Sequence, residues 1–218
     1  MEMPLPKTHI VESEWDDPQF VRSLGKTISP LSGNGSGTGH GNGNGGGKGL
    51  GGIFGQTEPG KSYIYVIDCS KSMNYRNSDR TSSRFQQVKI ELVRSVGQLG
   101  PGNRFYIILF NEKPLPMPSR FPEPASEELR LKYLKWVAQQ QADGDTKPLA
   151  SLHKALRFRP DVIYFLTDGI FEKHVQIALK RIRQKRTVIH TFAMGERGSE
   201  ELLKTIAETN GGKYRFIP

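Results

Sequence analysis

Short apolar runs alternate with helical segments through the second part of the chain, and this alternation limits the possible folds more than any other feature. Each run is too short for a helix and rich in β-branched and aromatic residues, so each predicts a buried strand. The four clearest runs cover residues 63–67, 104–110, 161–167 and 187–194. Strands that alternate with helices indicate an α/β, Rossmann-like fold with a mostly parallel central sheet and helices on both faces.

The segments between these runs carry apolar residues at helical spacing, together with signals for helix ends. Gly100-Pro101 stops the first helical segment, and Ser126 and Ser199 precede two others as N-caps. The prolines between residues 114 and 122 predict a rigid connection with a short edge strand. The predicted helices cover about residues 85–99, 126–140, 148–156, 173–184 and 199–210, and a short last strand is predicted at 213–216.

The first part of the chain has a different composition. Residues 1–32 are polar and contain too few apolar side chains for a core. Residues 33–52 hold twelve glycines in twenty positions, a composition typical of flexible linkers, which cannot repay the entropy cost of becoming ordered. We therefore predict a disordered, glycine-rich segment over 1–60 and one folded domain over 61–218.

Residues 55–62 fit the phosphate-binding pattern G-x4-G-K-S letter for letter. That motif requires a strand before it and a helix after it, so that backbone N–H groups and a helix N-terminus hold phosphate. Here a glycine-rich tract precedes the match and a predicted strand follows it, and Pro59 removes one N–H donor. We predict no nucleotide binding at this position.

The charge of the chain is uneven. The formal net charge is +9, with −2 on residues 1–60 and +11 on residues 61–218. Its densest run, residues 180–186, follows a predicted helix, where cations complement the helix dipole. Solvated helix faces account for such charge, although a basic domain is also compatible with nucleic-acid binding.

Signals for export or membrane insertion are missing from the sequence as given. It contains no apolar run near the length of a membrane span, and residues 1–20 lack the apolar core of a signal peptide. The lone Cys69 forbids an internal disulfide and is typical of a reducing compartment. We expect a cytoplasmic location, unless the chain is a piece of a longer protein with an anchor upstream.

Both Cys69 and His190 are predicted to pack in the core.

Oxygen-bearing side chains follow the predicted strands at positions where a parallel sheet brings them to one edge. Asp68 ends the first strand, Ser70 and Ser72 follow it, Thr146 lies in a turn before a helix, and Asp168 follows the third strand. Oxygen ligands favour Mg²⁺, Mn²⁺ or Ca²⁺ over softer metals. The five residues therefore predict a divalent-cation site in which two carboxylates leave part of the charge uncancelled.

These motifs resemble the metal-ion-dependent adhesion site of the von Willebrand factor type A family. The matching segments read DCSKS at 68–72, GDTKP at 144–148 and LTDG at 166–169, and the resemblance covers about residues 61–218. It is most similar to bacterial stand-alone members. The resemblance implies that Ser70, Ser72 and Thr146 ligate the metal directly, whereas Asp68 and Asp168 act largely through water. Asp145 departs from the family, which commonly has glycine there.

The resemblance implies a non-enzymatic, metal-dependent protein-binding module that takes an acidic side chain from a partner. One alternative is an RNA-binding protein that uses the basic surface, although the sequence has no RNP-like aromatic motif and nucleic acid is not the expected partner. Another is a phosphotransfer enzyme with Asp68 as nucleophile, but Ser70 stands where the usual second acid belongs. An EF-hand is excluded because Met73 occupies the position of the turn glycine.

Overall fold

The computed structural model describes residues 51–76, 82–169 and 171–218. Residues 1–50, which make up most of the predicted linker, lie outside the described residues. The strands of the main sheet are β3 (Ser62–Asp68), β4 (Arg104–Phe110), β5 (Pro114–Pro116), β6 (Glu123–Pro124), β7 (Val162–Thr167), β8 (Val188–Met194) and β9 (Tyr214–Ile217). Their order in the sheet is β5-β4-β3-β7-β8-β9, with β6 beside β4.

The direction of the strands confirms the predicted α/β architecture. Strands β4, β3, β7, β8 and β9 run parallel, and only the short β5 and β6 are antiparallel to β4. The predicted edge strand in the proline-rich connection is β5. From β3 the chain moves outward to β4 and then returns to β7 on the other side of β3. The carboxyl ends of β3 and β7 therefore lie side by side where the strand order reverses, which is the usual ligand-binding place in such sheets.

Helices cover both faces of the sheet, as predicted. They are α1 (Arg84–Gly97), α2 (Glu127–Ala138), α3 (Leu149–Arg157), α4 (Lys173–Lys180) and α5 (Glu200–Thr209). Helices α1 and α2 pack together on one face, whereas α3, α4 and α5 contact one another or the strands on the other face. Among the described residues, no helix is both long enough and apolar enough to cross a membrane.

The local sequence explains why α1 begins where it does. The Ser83 hydroxyl accepts a hydrogen bond from the Gln86 N–H, and the Gln86 side chain accepts one from the Ser83 N–H. This reciprocal pair satisfies two of the N–H groups that a helix start leaves free. Helix α1 therefore has a fixed starting point, which matters because Arg84, its first residue, reaches the candidate site.

A hairpin precedes the main sheet and was not anticipated from the sequence. Strands β1 (Gly51–Ile53) and β2 (Gln56–Glu58) pair antiparallel, and the hairpin packs on the same face as α1. Ile53 is fully buried, the Phe54 ring lies 6.1 Å from that of Phe192, and Glu58 contacts the buried His190 at 3.2 Å. The hairpin lies within the segment 1–60 that the sequence assigns to the linker, so the packed part of the chain begins before residue 61.

The core contains the two polar residues that the sequence placed there. His190 and Cys69 are both fully buried, which confirms those predictions. Burial raises the pKa of the Cys69 thiol to about 12, so this thiol is neutral at physiological pH. The Lys213 N–H donates to His190 Nδ1 at 3.0 Å. His190 Nε2 therefore carries the proton of the neutral ring and donates a hydrogen bond to the Glu58 carboxylate.

Candidate metal centre

The structure brings all five predicted site residues to the carboxyl end of the sheet. Asp68 is the last residue of β3, and Asp168 directly follows the neighbouring strand β7. Ser70 and Ser72 lie on the turn after β3, and Thr146 lies in the loop before α3. Two backbone hydrogen bonds join these loops, from the Lys71 N–H to the Gly144 carbonyl and from the Asp143 N–H to the Cys69 carbonyl, both at 2.9 Å.

The three hydroxyl groups form one continuous chain that ends on a carboxylate. Thr146 Oγ1 donates to Ser70 Oγ at 2.9 Å, and Ser70 Oγ lies 3.2 Å from Ser72 Oγ. Ser72 Oγ donates to Asp168 Oδ1 at 2.7 Å. Side chains from three separate segments of the chain therefore place their oxygens within contact distance of one another.

Asp68 is held from both sides by groups of the protein. Its Oδ1 accepts from the Ser70 N–H at 2.8 Å, and its Oδ2 accepts from Thr167 Oγ1 at 2.6 Å. Asp68 is fully buried and Thr167 is almost so. Thr167 was not predicted as part of the site, because a threonine in the last position of a strand carries no distinguishing signal.

Asp168 is paired with a cation, Arg84, that was not among the predicted site residues. Arg84 Nη1 lies 2.8 Å from Asp168 Oδ2, and Arg84 Nη2 lies 3.5 Å from Glu196 Oε1. The signal that could have revealed it is the position of Arg84 in the first turn of α1. A cation there opposes the helix dipole, so it needs a compensating carboxylate.

The two carboxylates have unusual acidities for surface-loop residues. Burial, and then the charge of Asp168, raises the pKa of Asp68 to about 7. Burial also raises the pKa of Asp168, against the hydrogen bonds from Arg84 and Ser72 that lower it. A divalent cation beside these groups would favour their charged forms and oppose both shifts.

The oxygen positions fit a small hard cation. Adjacent ligands of an octahedral magnesium ion with bonds of 2.0–2.1 Å are about 2.9 Å apart. The Ser70–Thr146 and Ser70–Ser72 oxygen distances of 2.9 and 3.2 Å are close to this spacing, and a bound cation would replace the hydrogen bonds that now join these hydroxyls. Among residues 51–76, 82–169 and 171–218, no group of three or more His, Cys, Asp and Glu side chains is arranged to hold a metal. A cation at this centre would therefore depend on the neutral hydroxyls.

A close approach between two loops makes Gly169 necessary. A Cβ atom at this position would lie 2.7 Å from Thr146 Cγ2 and 3.2 Å from Thr146 Oγ1. Any side chain at residue 169 would push Thr146 out of the hydroxyl chain. The glycine after Asp168 therefore has a steric role in the centre.

An open groove of about 470 Å³ lies over the hydroxyl chain. Its charged rim contains both signs, with Lys71 and Lys147 opposed by Asp145 and Glu172. The rim of the groove therefore carries mixed charge. A dense part of the net charge of +11 lies at the amino ends of β7 and β8, on a surface called here the basic edge: Arg157, Arg159, Arg181, Arg183, Lys185 and Arg186.

A family model described as von Willebrand factor type A domain matches residues 64–216. The chain belongs to the von Willebrand factor type A family. Human von Willebrand factor A domain-containing protein 5A is 30% identical over 167 residues, which are 71% of this chain and 21% of that protein. This type A chain thus spans about a fifth of the length of that relative. The assignment to a bacterial stand-alone type stays a prediction.

Solved structures support the same fold. A von Willebrand factor type A protein from Catenulispora acidiphila has a TM-score of 0.61 at 21% identity, over 73% of this chain and 39% of that one. The SpRpn10 VWA domain has a TM-score of 0.55 at 15% identity, over 73% of this chain and 89% of that one. At these identities the similarity establishes the type A fold alone. The metal ligands of this domain are therefore argued from its own residues.

Proposed function

We propose that this type A domain is a metal-dependent protein-binding module with an intact metal-ion-dependent adhesion site. Ser70, Ser72 and Thr146 would hold Mg²⁺, or Mn²⁺ or Ca²⁺, while Asp68 and Asp168 would balance its charge largely through water. The observation that supports this most directly is the hydroxyl chain, whose oxygen spacing suits one small cation. Type A domains typically mediate protein interactions, which agrees with a binding role.

The partner in this proposal supplies an aspartate or glutamate side chain. A cation held mainly by neutral hydroxyls keeps much of its charge and would offer an open position to a carboxylate oxygen. The residues of the domain position the three hydroxyls and keep both carboxylates inside the protein, away from the groove. An incoming carboxylate would then meet the cation without facing the full repulsion of Asp68 and Asp168.

We also infer that the domain has no catalytic activity of its own. A phosphotransfer mechanism would need Asp68 as an accessible nucleophile, yet this side chain is fully buried and both oxygens accept hydrogen bonds. No acid follows two residues later, because Ser70 is there. These features favour a structural role for Asp68 over a nucleophilic one.

A calorimetric titration of Mn²⁺ and Mg²⁺ into the full chain tests the site. Asp68→Ala should abolish binding, because it removes the carboxylate that orients the Ser70 loop. Thr146→Ala should weaken binding, because one hydroxyl is lost and the rest remain. Thr205→Ala, at a helix position away from the centre, is the matched control and should bind like the wild type. A wild-type chain that takes up neither ion would refute the proposal.

A pull-down with and without EDTA tests the partner. Capture that depends on the cation and is lost in Asp68→Ala supports an acidic partner. Capture that is indifferent to EDTA and to Asp68→Ala contradicts it. The bound protein should also compete with free acetate, because both present a carboxylate to the same position.

RNA binding is the second candidate, and the basic edge is the observation that favours it. The Thr187 hydroxyl donates to the Pro160 carbonyl at 2.7 Å, which ties the two loops of this surface together. Its six cations are exposed, and none lies within ion-pair distance of a carboxylate among the described residues. Binding of a double-stranded RNA that falls steeply with salt and is lost in Arg181→Gln/Arg183→Gln would support it.

A further inference from the structure

Arg84 is a buried cation placed inside the candidate metal centre. Its side chain is 7% exposed, and the Asp168 side chain that it contacts is fully buried. The guanidinium lies 2.8 Å from Asp168 Oδ2, while Asp168 Oδ1 accepts from Ser72. One oxygen of this carboxylate therefore faces the hydroxyl chain and the other faces an internal positive charge.

The surroundings of Arg84 are shaped to hold its side chain. Gly195, at φ 75°, follows β8, and a Cβ atom there would lie 2.3 Å from Arg84 Cζ. Every side chain at residue 195 would thus displace the guanidinium. The centre of the Tyr75 ring lies 5.9 Å from Arg84 Cζ, and the backbone N–H of Arg84 donates to the Tyr75 carbonyl at 3.0 Å. Three segments of the chain therefore meet around this one cation.

The charge of Arg84 changes what the centre offers to a metal ion. Asp68 and Asp168 are the two carboxylates of the centre, and Arg84 is paired with one of them. The affinity of oxygen sites for divalent cations rises with the number of negative ligands. Arg84 lies closer to Asp168, at 2.8 Å, than to the exposed Glu196, at 3.5 Å, so the centre presents less negative charge than its two carboxylates alone suggest.

We propose that Arg84 is a built-in counterion that lowers the affinity of the centre for divalent cations and keeps a bound cation attractive to a partner's carboxylate. This inference rests on the proposed metal-dependent function. It adds a residue that sets how tightly the centre binds the cation and how strongly the bound cation attracts a carboxylate. Arg84 acts through Asp168 and through the charge of the centre, and it is not itself a ligand. Removing the charge should strengthen metal binding and weaken carboxylate binding.

The test compares two substitutions in the full chain. Arg84→Met keeps an unbranched side chain and removes the charge, whereas Arg84→Lys keeps the charge. Calorimetry with Mn²⁺ should give an affinity higher by about tenfold or more for Arg84→Met and one within about threefold of wild type for Arg84→Lys. Arg94→Met removes an exposed cation on the same helix and should leave the affinity unchanged.

A second measurement separates a charge effect from a loss of structure. Acetate should displace water from protein-bound Mn²⁺, which water-proton relaxation reports. Arg84→Met should need a concentration of acetate several-fold higher than wild type, although it binds the metal more tightly. A variant that had merely lost its structure would lose both kinds of binding together. If Arg84→Met does not fold, Arg84→Gln takes its place, with the same direction expected for both measurements.

The outcomes distinguish this inference from the proposed function. If wild type binds Mn²⁺ and Arg84→Met binds equally or more weakly, Arg84 only positions Asp168 and the counterion role is wrong. If neither binds Mn²⁺, the proposed function fails and the counterion role fails with it. If only Arg84→Met binds Mn²⁺, the counterion role holds and wild type is not a metal-dependent module.

Discussion

At the scale of single residues, Thr167 carries a large share of the organisation of the centre. Its hydroxyl donates to Asp68 Oδ2 at 2.6 Å and accepts from the Gly169 N–H at 3.0 Å. It thereby connects the carboxylate that ends β3 with the loop that carries Asp168. Thr167 would not itself bind the metal, but it positions both Asp68 and the loop that carries Asp168.

Thr167→Val tests this connection. Valine keeps the shape but leaves a buried carboxylate oxygen without its donor, at a cost of about 1–3 kcal/mol in the free energy of unfolding. Because Asp68 would no longer be held, Mn²⁺ affinity should also fall several-fold. Urea unfolding and calorimetry measure the two effects.

Thr191→Val is the matched control for that experiment. Thr191 is also a fully buried threonine of the sheet, and its hydroxyl donates to the Leu203 carbonyl at 2.8 Å, on the face covered by α5. It should lose stability to a similar degree and bind Mn²⁺ normally. Equal losses of metal affinity in both variants would mean that general destabilisation, and not the Asp68 contact, explains the effect.

The sequence predicted which residues meet at the centre but not what holds them. Asp68, Ser70, Ser72, Thr146 and Asp168 were found because their oxygens follow strands that a parallel sheet brings to one edge. Thr167 and Arg84 act through long-range contacts, with partners 99 and 84 residues away. Neither partner can be assigned until the register of β3 and β7 and the start of α1 are known.

At the scale of secondary-structure elements, the long strands were predictable and the hairpin was not. Strand β4 covers the predicted residues 104–110, since every residue after Arg104 is buried and an apolar run is the direct result. Strands β1 and β2 have three residues each and adjoin a glycine-rich tract. Such strands give no periodicity, and their stability comes from packing on α1 and β8, which local sequence does not record.

The hairpin should respond to pH through His190. Burial lowers the pKa of His190 below its usual value, against the opposing effect of Glu58. Below about pH 6.5 the unfolded chain therefore binds a proton at this residue more readily than the folded chain. The contribution of His190 to the free energy of unfolding should fall as the pH is lowered from 7 to 5, and His190→Gln should remove it. Asp68 contributes in the opposite direction, because its pKa of about 7 favours proton binding by the folded chain.

Urea unfolding at several pH values measures the effect of His190. His174→Gln is the control, because that side chain is exposed and its loss should leave the dependence unchanged. An identical pH dependence in wild type and His190→Gln would show that other groups are responsible. The comparison of variants is needed because Asp68, with its pKa raised to about 7, also makes the stability depend on pH in this range.

The loop between the hairpin and β3 should not bind nucleotides. The Lys61 and Ser62 N–H groups donate to Asp161 Oδ2 at 2.7 and 3.0 Å, and strand β3 follows directly. A carboxylate thus already accepts from N–H groups that a phosphate would need. Equilibrium dialysis with ATP should give no binding for wild type or Lys61→Ala, and an affinity that Lys61→Ala abolishes would contradict this.

At the scale of the whole molecule, the basic edge and the candidate centre lie at opposite ends of the sheet. The groove has a mixed rim, whereas the basic edge lies where β7 and β8 begin. Long-range attraction of an acidic partner would therefore favour encounters with the basic edge and not with the groove. A partner's carboxylate would therefore reach the groove through local contact with the cation and not through long-range attraction.

Limited proteolysis of the full chain tests where the folded unit begins. Ile53, in the first strand of the hairpin, is fully buried in the core. A stable fragment should therefore start near residue 51 and not near 61. Ile53→Asp should release the hairpin and move the start towards 61, because it buries an unpaired charge. Thr57→Asp, at an exposed hairpin position, should leave it near 51. A protected wild-type fragment that reaches back to residue 20 would contradict this.

The position of β9 has a mechanical consequence for the centre. β9 runs parallel to β8, and the N–H of Gly195, just past the end of β8, donates to the carbonyl of Ile217 in β9 at 2.8 Å. Tension applied at Pro218 would load the hydrogen bonds between these strands together, in shear. The same pull would act on Gly195, which packs beside the Arg84 guanidinium, and on Glu196, which lies 3.5 Å from it. A force on this end of the chain would thus be transmitted to the cation that neutralises Asp168.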